Sequence, residues 1–178
     1  MSTLRELKSR IGSVASTQKT TSAMKMISSA KMRKAIGQIQ RLSPYRDMVR
    51  NVLTHLLATG TEFASPLTAT RDVSRLALVA FGSDDGLCGA FNINIFKQVL
   101  VTINQARQQW GHDVSILLIP IGKKLTKAAL KLNMPGVTVE TTGYLNTRSD
   151  ANALQQFTSE LRQRFTQADI DRADVLYM

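Results

Sequence analysis

RLALVAFGSDDGLCGAFN, residues 75–92, is the stretch on which the fold turns. From Arg75 to Phe81 the residues are almost uniformly apolar. A strand with one wet face alternates apolar and polar, so a near-continuous run marks a strand covered on both faces, as in a parallel sheet between helices. A glycine-rich turn follows at residues 82–89. Over residues 90–110 the period changes: Phe91, Ile95, Val99, Leu100, Ile103, Ala106 and Trp110 recur at helical spacing. Strand, turn and helix in this order open a βαβ unit.

The alternation continues toward the C-terminus. Residues 114–119 read as a second buried strand, residues 123–132 as a short helix ended by Asn133-Met-Pro-Gly136, and residues 137–142 as a more exposed strand. Residues 150–167 read as a third helix with Asp150 as its N-cap, and residues 173–178 as a fourth strand. The expected class is α/β, with a Rossmann-like layer over residues 74–178 and a mostly parallel sheet. The last residues, DVLYM at 174–178, stop inside an apolar strand, and the layer is expected to be truncated there.

Residues 59–73 lack periodicity, contain Gly60 and Pro66, and read as a linker. Before them, residues 1–58 read as one long helix. Steps of three and four from Leu4 give Leu4, Leu7, Ile11, Val14, Gln18, Thr21, Lys25, Ser28, Met32, Ala35, Ile39, Leu42, Arg46, Val49, Leu53 and Leu56. Eleven of these sixteen are apolar, which is a coiled-coil seam. From Gln18 to Ser28 the seam fails and the apolar side chains shift to Ala23, Met24, Met26, Ile27 and Ala30, a local break in register. Pro44 is expected to kink the helix or to begin a second one at Tyr45. Unbroken, ~55 residues at ~1.5 Å each span ~80 Å, longer than a domain of this mass is wide.

Charge divides the chain in the same place. Of 178 residues 23 are basic and 13 acidic, a net +10. Residues 1–58 hold eleven Lys or Arg against two acids, Glu6 and Asp47, a net +9, so nearly all the basicity belongs to the long helix. An acidic partner is expected for it: nucleic acid, an anionic membrane surface or an acidic protein. A single cysteine, Cys88, excludes a disulfide framework, and two histidines, His55 and His112, leave little for a histidine metal site. No apolar run reaches ~20 residues, and residues 1–10 go straight into an amphipathic pattern without an h-region, so no secretory signal is expected there.

The chain offers little for catalysis. Gly82, Gly86 and Gly89 are spaced G-x3-G-x2-G, not G-x-G-x-x-G, and Asp84 and Asp85 would repel a pyrophosphate. Gly122-Lys123-Lys124 misses a phosphate loop, having Leu117 where glycine is needed and Lys124 in place of Ser or Thr. Asp84 and Asp85 read as capping carboxylates of the helix that follows, and Cys88 as a small, partly buried residue. Met24, Met26 and Met32 suit adaptable packing against a partner. A basic coiled-coil nucleic-acid binder is the alternative. The helix holds one aromatic, Tyr45, and no basic region separate from the seam, which speaks against it.

Two segments resemble one family. RIGSV (10–14), TQK (17–19), TSAMKMI (21–27) and AKMR (30–33) resemble the N-terminal helix of the gamma subunit of F-type ATP synthase. SDDGLCGAFN (83–92) is similar to that family's loop S/T-D-R/K-G-L-C-G with its short run to Asn92, departing from it at Asp85, where the family has a basic residue. The resemblance covers the whole chain. It implies an antiparallel two-helix shaft, of which this chain holds the first helix and lacks the C-terminal one, with an α/β domain between them in sequence. It implies a central rotor stalk on the cytoplasmic face of the bacterial inner membrane, coupling proton-driven rotation to ATP synthesis and carrying no catalytic residue, cofactor or metal. Implied partners are the alpha and beta subunits of the catalytic hexamer, the epsilon subunit and the membrane ring. No nucleic acid or small-molecule substrate is implied. Lys19, Met24, Lys25, Lys31, Arg33 and Lys34 of the shaft, with Asp84, Asp85, Gly86, Leu87, Cys88 and Gly89 of the loop, are the implied partner-binding residues.

Overall fold

The computed structural model describes residues 3–58, 65–84, 86 and 88–178. The chain divides into two compact units, Met1–Phe63 and Ala64–Met178.

The first unit is one helix, α1 (Leu4–Ala58). Its start is held by a reciprocal pair. The Thr3 amide donates to Glu6 Oε2 at 3.0 Å, and the Glu6 amide donates to Thr3 Oγ1 at 3.4 Å. This capping box satisfies two amides that the first turn leaves without helical partners. No second helix begins at Tyr45, because α1 runs on through Pro44. The proline removes one rung, the bond to the Gln40 carbonyl, and a helix of 55 residues absorbs that loss. None of its described side chains is buried. The seam residues Leu7, Ile11, Val14, Ile39 and Leu42 are all exposed.

The second unit opens with a single 3-10 turn, Pro66–Thr68, capped by the Ser65 side chain, which accepts from the Leu67 amide. Four strands and three helices then alternate: β1 (Arg75–Phe81), α2 (Phe91–Trp110), β2 (Ser115–Ile121), α3 (Lys123–Ala129), β3 (Val137–Val139), α4 (Ala151–Thr166) and β4 (Arg172–Leu176). The sheet order is β3-β2-β1-β4 with every pairing parallel. Leu78 stands between Leu118 of β2 and Asp174 of β4.

The order dictates the layers. From β1 to β2 to β3 the chain steps in one direction, and from β3 to β4 it crosses back to the far side of β1. Right-handed crossovers therefore put α2 and α3 on one face and α4 on the other. The core divides accordingly. Leu76, Leu78, Ala80, Ile116 and Leu118 pack with Ile95, Val99, Ile103 and Leu125, whereas Val79, Ile119 and Ile121 pack with Leu145 and Phe157. Both sets of alternate residues of β1 are thus buried, which is why its run is apolar throughout.

The boundaries that differ most from the sequence reading are in β2, β3 and α3. β2 extends through Pro120 to Ile121. Ile116 donates to the Gly136 carbonyl and Leu118 accepts from the Glu140 amide, both on the β3 side, so the missing N–H of Pro120 falls on that side, past the end of β3. β3 is confined to three residues rather than reaching residue 142, and α3 ends at Ala129 rather than residue 132.

The N-terminal ends of β1 and β4 are stapled by a buried carboxylate. Asp171 Oδ2 accepts from the Ser74 amide at 3.1 Å, the Ser74 hydroxyl at 2.9 Å and the Arg75 amide at 2.8 Å, while Arg75 Nη2 reaches Oδ1 at 3.2 Å. The Asp171 amide returns a bond to the Arg75 carbonyl at 2.8 Å.

Candidate partner-binding residues

At the opposite, carboxyl end of the sheet, the loops after β1, β2 and β3 meet. β1 runs directly into Gly82, whose amide donates to the Ile121 carbonyl at 2.7 Å. The space around Gly82 is closed. A Cβ there would lie 2.8 Å from Asn92 Oδ1 and 2.8 Å from Leu125 Cβ. Gly122, at φ +111°, stacks its backbone against Gly82, and a Cβ on it would meet the Gly82 carbonyl carbon at 3.2 Å. Replacing Gly82 by Ala is therefore expected to cost about 1–3 kcal/mol and to loosen the loop; chemical denaturation showing a loss below about 0.5 kcal/mol would contradict this packing.

Asn92, in the first turn of α2, organises the loop. Its Oδ1 accepts from the Ser83 amide at 2.8 Å, and its Nδ2 donates to the Ser83 carbonyl at 3.1 Å and toward Cys88 Sγ at 3.4 Å. Asn92 is thus a positioning residue of the loop, absent from the partner-binding residues that the resemblance implies. The signal was present in the sequence motif, which ends on Asn92. Cys88 is half-buried and free, as expected.

Asp84 does not cap the helix that follows its own loop. The N-cap of α2 is Ala90, with no side-chain cap bond. Asp84 instead reaches across the sheet end: Oδ1 accepts from the Lys123 amide, the first residue of α3, at 2.5 Å, and Oδ2 accepts from the Thr147 hydroxyl at 2.8 Å and amide at 3.3 Å. The Lys123 amide is the leading cause holding its carboxyl below the usual range, with the Thr147 bonds acting the same way against some desolvation. A carboxylate thus already occupies the amino end of α3, where the sequence superficially suggested phosphate. Asp85 and Leu87 lie outside the described residues. Gly86 is exposed, and Gly89 takes φ +56°, a conformation glycine adopts without strain.

Lys19, Met24, Lys25, Lys31, Arg33 and Lys34 all lie on α1, with Met24 43% exposed. In the stretch where the seam fails, hydroxyls turn inward on the helix itself. Thr17, Thr20 and Thr21 donate to the carbonyls of Ser13, Ser16 and Thr17 at 2.9–3.1 Å. Among the described residues no group of three His, Cys, Asp or Glu is arranged to hold a metal, and no helix is long and apolar enough to cross a membrane.

A doubly covered, all-parallel sheet and a separate long basic helix with an uncovered apolar stripe define the class: an α/β protein bearing one strand of a potential helical pair. The profile of the ATP synthase family matches residues 3–178. The chain is 38% identical over 177 residues to the ATP synthase gamma chain of Bacteroides thetaiotaomicron and 40% identical over 178 residues to that of Bacteroides fragilis, covering 99% of this chain in each case. The gamma chain of Francisella tularensis is 32% identical over 182 residues. The chain belongs to the ATP synthase gamma-chain family. It spans about three fifths of the length of these relatives, 58–60%.

Proposed function

We propose that this chain is the first helix and the α/β domain of a central rotor stalk, which couples rotation of a proton-driven membrane ring to conformational change at the catalytic beta subunits. Family membership across residues 3–178 carries the reading. The chemistry of α1 supports it. An exposed ion pair is worth only ~0–1 kcal/mol, so a shaft that must turn in an acidic collar needs many weak attractions and no strong one. Lys19, Lys25, Lys31, Arg33 and Lys34 supply charge without fixed partners among the described residues. The threonine hydroxyls of the seam break are spent on their own helix, which leaves few directional bonds for a collar to grip.

In this reading the chain performs no chemistry. It acts on the beta sites by shape, from the periphery of the membrane, with the epsilon subunit and the ring as further partners. The loop at residues 84–89 and the shaft near Met24 meet the acidic lever of beta. The test is co-purification of the full-length protein with its cognate alpha and beta subunits. Replacement of Lys19, Lys25 and Lys31 by Glu is expected to weaken assembly most at low salt. Recovery with nucleic acid and without alpha and beta would overturn the proposal.

Two results follow. The chain alone should bind ATP no more tightly than about millimolar, checked by calorimetry, because the glycines at 82–89 miss the dinucleotide spacing and Asp84 fills the start of α3. Asp85→Arg, which restores the basic residue of the family loop, should raise affinity for the catalytic hexamer modestly and more at low ionic strength. Affinity unchanged at every salt concentration would separate that loop from an acidic surface.

A further inference from the structure

A groove on the α/β unit is left over after these assignments. It lies between α3 and the chain that follows β3, and encloses about 620 Å³. Pro120, Leu130 and Leu145 form an apolar floor, and Lys123, Lys124 and Lys127 line its edge. All three lysines are exposed, and none is in an ion pair among the described residues, although Lys123 and Asp84 attract each other. Asp84, the acidic group in the lining, is already committed to the Lys123 amide and to Thr147. Leu130 is 61% exposed beside the lysines.

We propose that this groove docks an acidic segment of another ATP synthase subunit, with one apolar side chain on the floor and two or more carboxylates on the α3 lysines. Charge complementarity selects the occupant, since Lys124 and Lys127, with Lys123 partly offset by Asp84, leave a net positive rim around an apolar patch, which suits a chain that brings both acid and hydrocarbon. A free inorganic anion would leave Leu130 uncovered. A single nucleic-acid strand would find no aromatic side chain in the lining on which to stack a base. The inference rests on the stalk reading above and extends it from the loop at residues 84–89, which shares Asp84 with the groove, to the α3 lysines beside it.

Carbodiimide cross-linking of the assembled complex, containing the full-length protein, tests it. The reagent joins an amine to a carboxylate in direct contact, and peptide mass spectrometry identifies both ends. The expected product links Lys124 or Lys127 to an Asp or Glu of a partner subunit, at far higher yield than the exposed Lys97 of α2. Lys124→Gln with Lys127→Gln should abolish that link and weaken binding of the isolated partner subunit roughly three- to tenfold at low salt. Both side chains are exposed, so the variant should fold as the parent does. Partner links from the α1 lysines with none from α3, or α3 links only to Asp84, would overturn the groove and leave the stalk intact. Protection of these lysines by co-purifying nucleic acid would also overturn the groove. Failure of the complex to form would overturn both.

Discussion

Hydrogen exchange on the isolated 178-residue chain will protect the amides of residues 76–81 at least roughly a hundredfold more than those of residues 4–56, as long as the chain is monomeric. The seam of α1 presents eleven apolar side chains and none of the described ones is buried. Covering them is worth roughly 15–30 kcal/mol as an upper bound, and that term is missing when the helix stands alone. Propensity does not replace it. Residues 16–31 carry seven Ser or Thr, weak helix formers, and three threonines of this region bond their own backbone. A second copy can supply the missing face, so sedimentation must accompany the exchange. A monomer whose α1 is as protected as β1 would show that the stripe is not what α1 lacks.

Asp171→Ala will destabilise the α/β unit by about 2–4 kcal/mol and flatten its acid dependence. The carboxylate is 5% exposed and is the shared acceptor for Ser74 and Arg75. Burial alone would raise its pKa; the hydrogen bonds from Ser74 and Arg75 outweigh that and bring it from 3.8 to about 2. Because the folded value is the lower one, the unfolded chain takes up the proton first as pH falls. The stabilisation is therefore complete above about pH 4 and is lost progressively toward pH 2. Denaturant titrations between pH 2 and 5 read it directly. A parent and variant with parallel pH profiles would remove Asp171 from this role, whatever the size of the offset.

Local features were legible in the sequence, and long-range ones were not. The run of residues 75–81 announces a strand buried on both faces, and Asp150 does cap α4, accepting from the Ala153 amide at 2.9 Å. These depend on neighbours a few residues away. Asp84 reaches Lys123, 39 residues on, and Thr147, 63 residues on, so its destination was set by the sheet order and could not be read from the glycines beside it. Asp171 and Ser74 are 97 residues apart and posed the same difficulty. For α1 the stripe was plain, but its covering partner is not among the described residues, and spacing alone cannot identify that partner.

The two glycines behind the loop have a mechanical meaning. Gly82 and Gly122 bring backbone against backbone with no side chain between them, and the 2.7 Å bond from the Gly82 amide to the Ile121 carbonyl ties one strand end to the other. Side chains are the compliant part of a protein, since they give way by changing rotamer. Their absence here makes the junction of Gly82 with Gly122 stiff. A sideways load that reaches Gly82 is passed into β1 and β2 with little lost in bending at that junction.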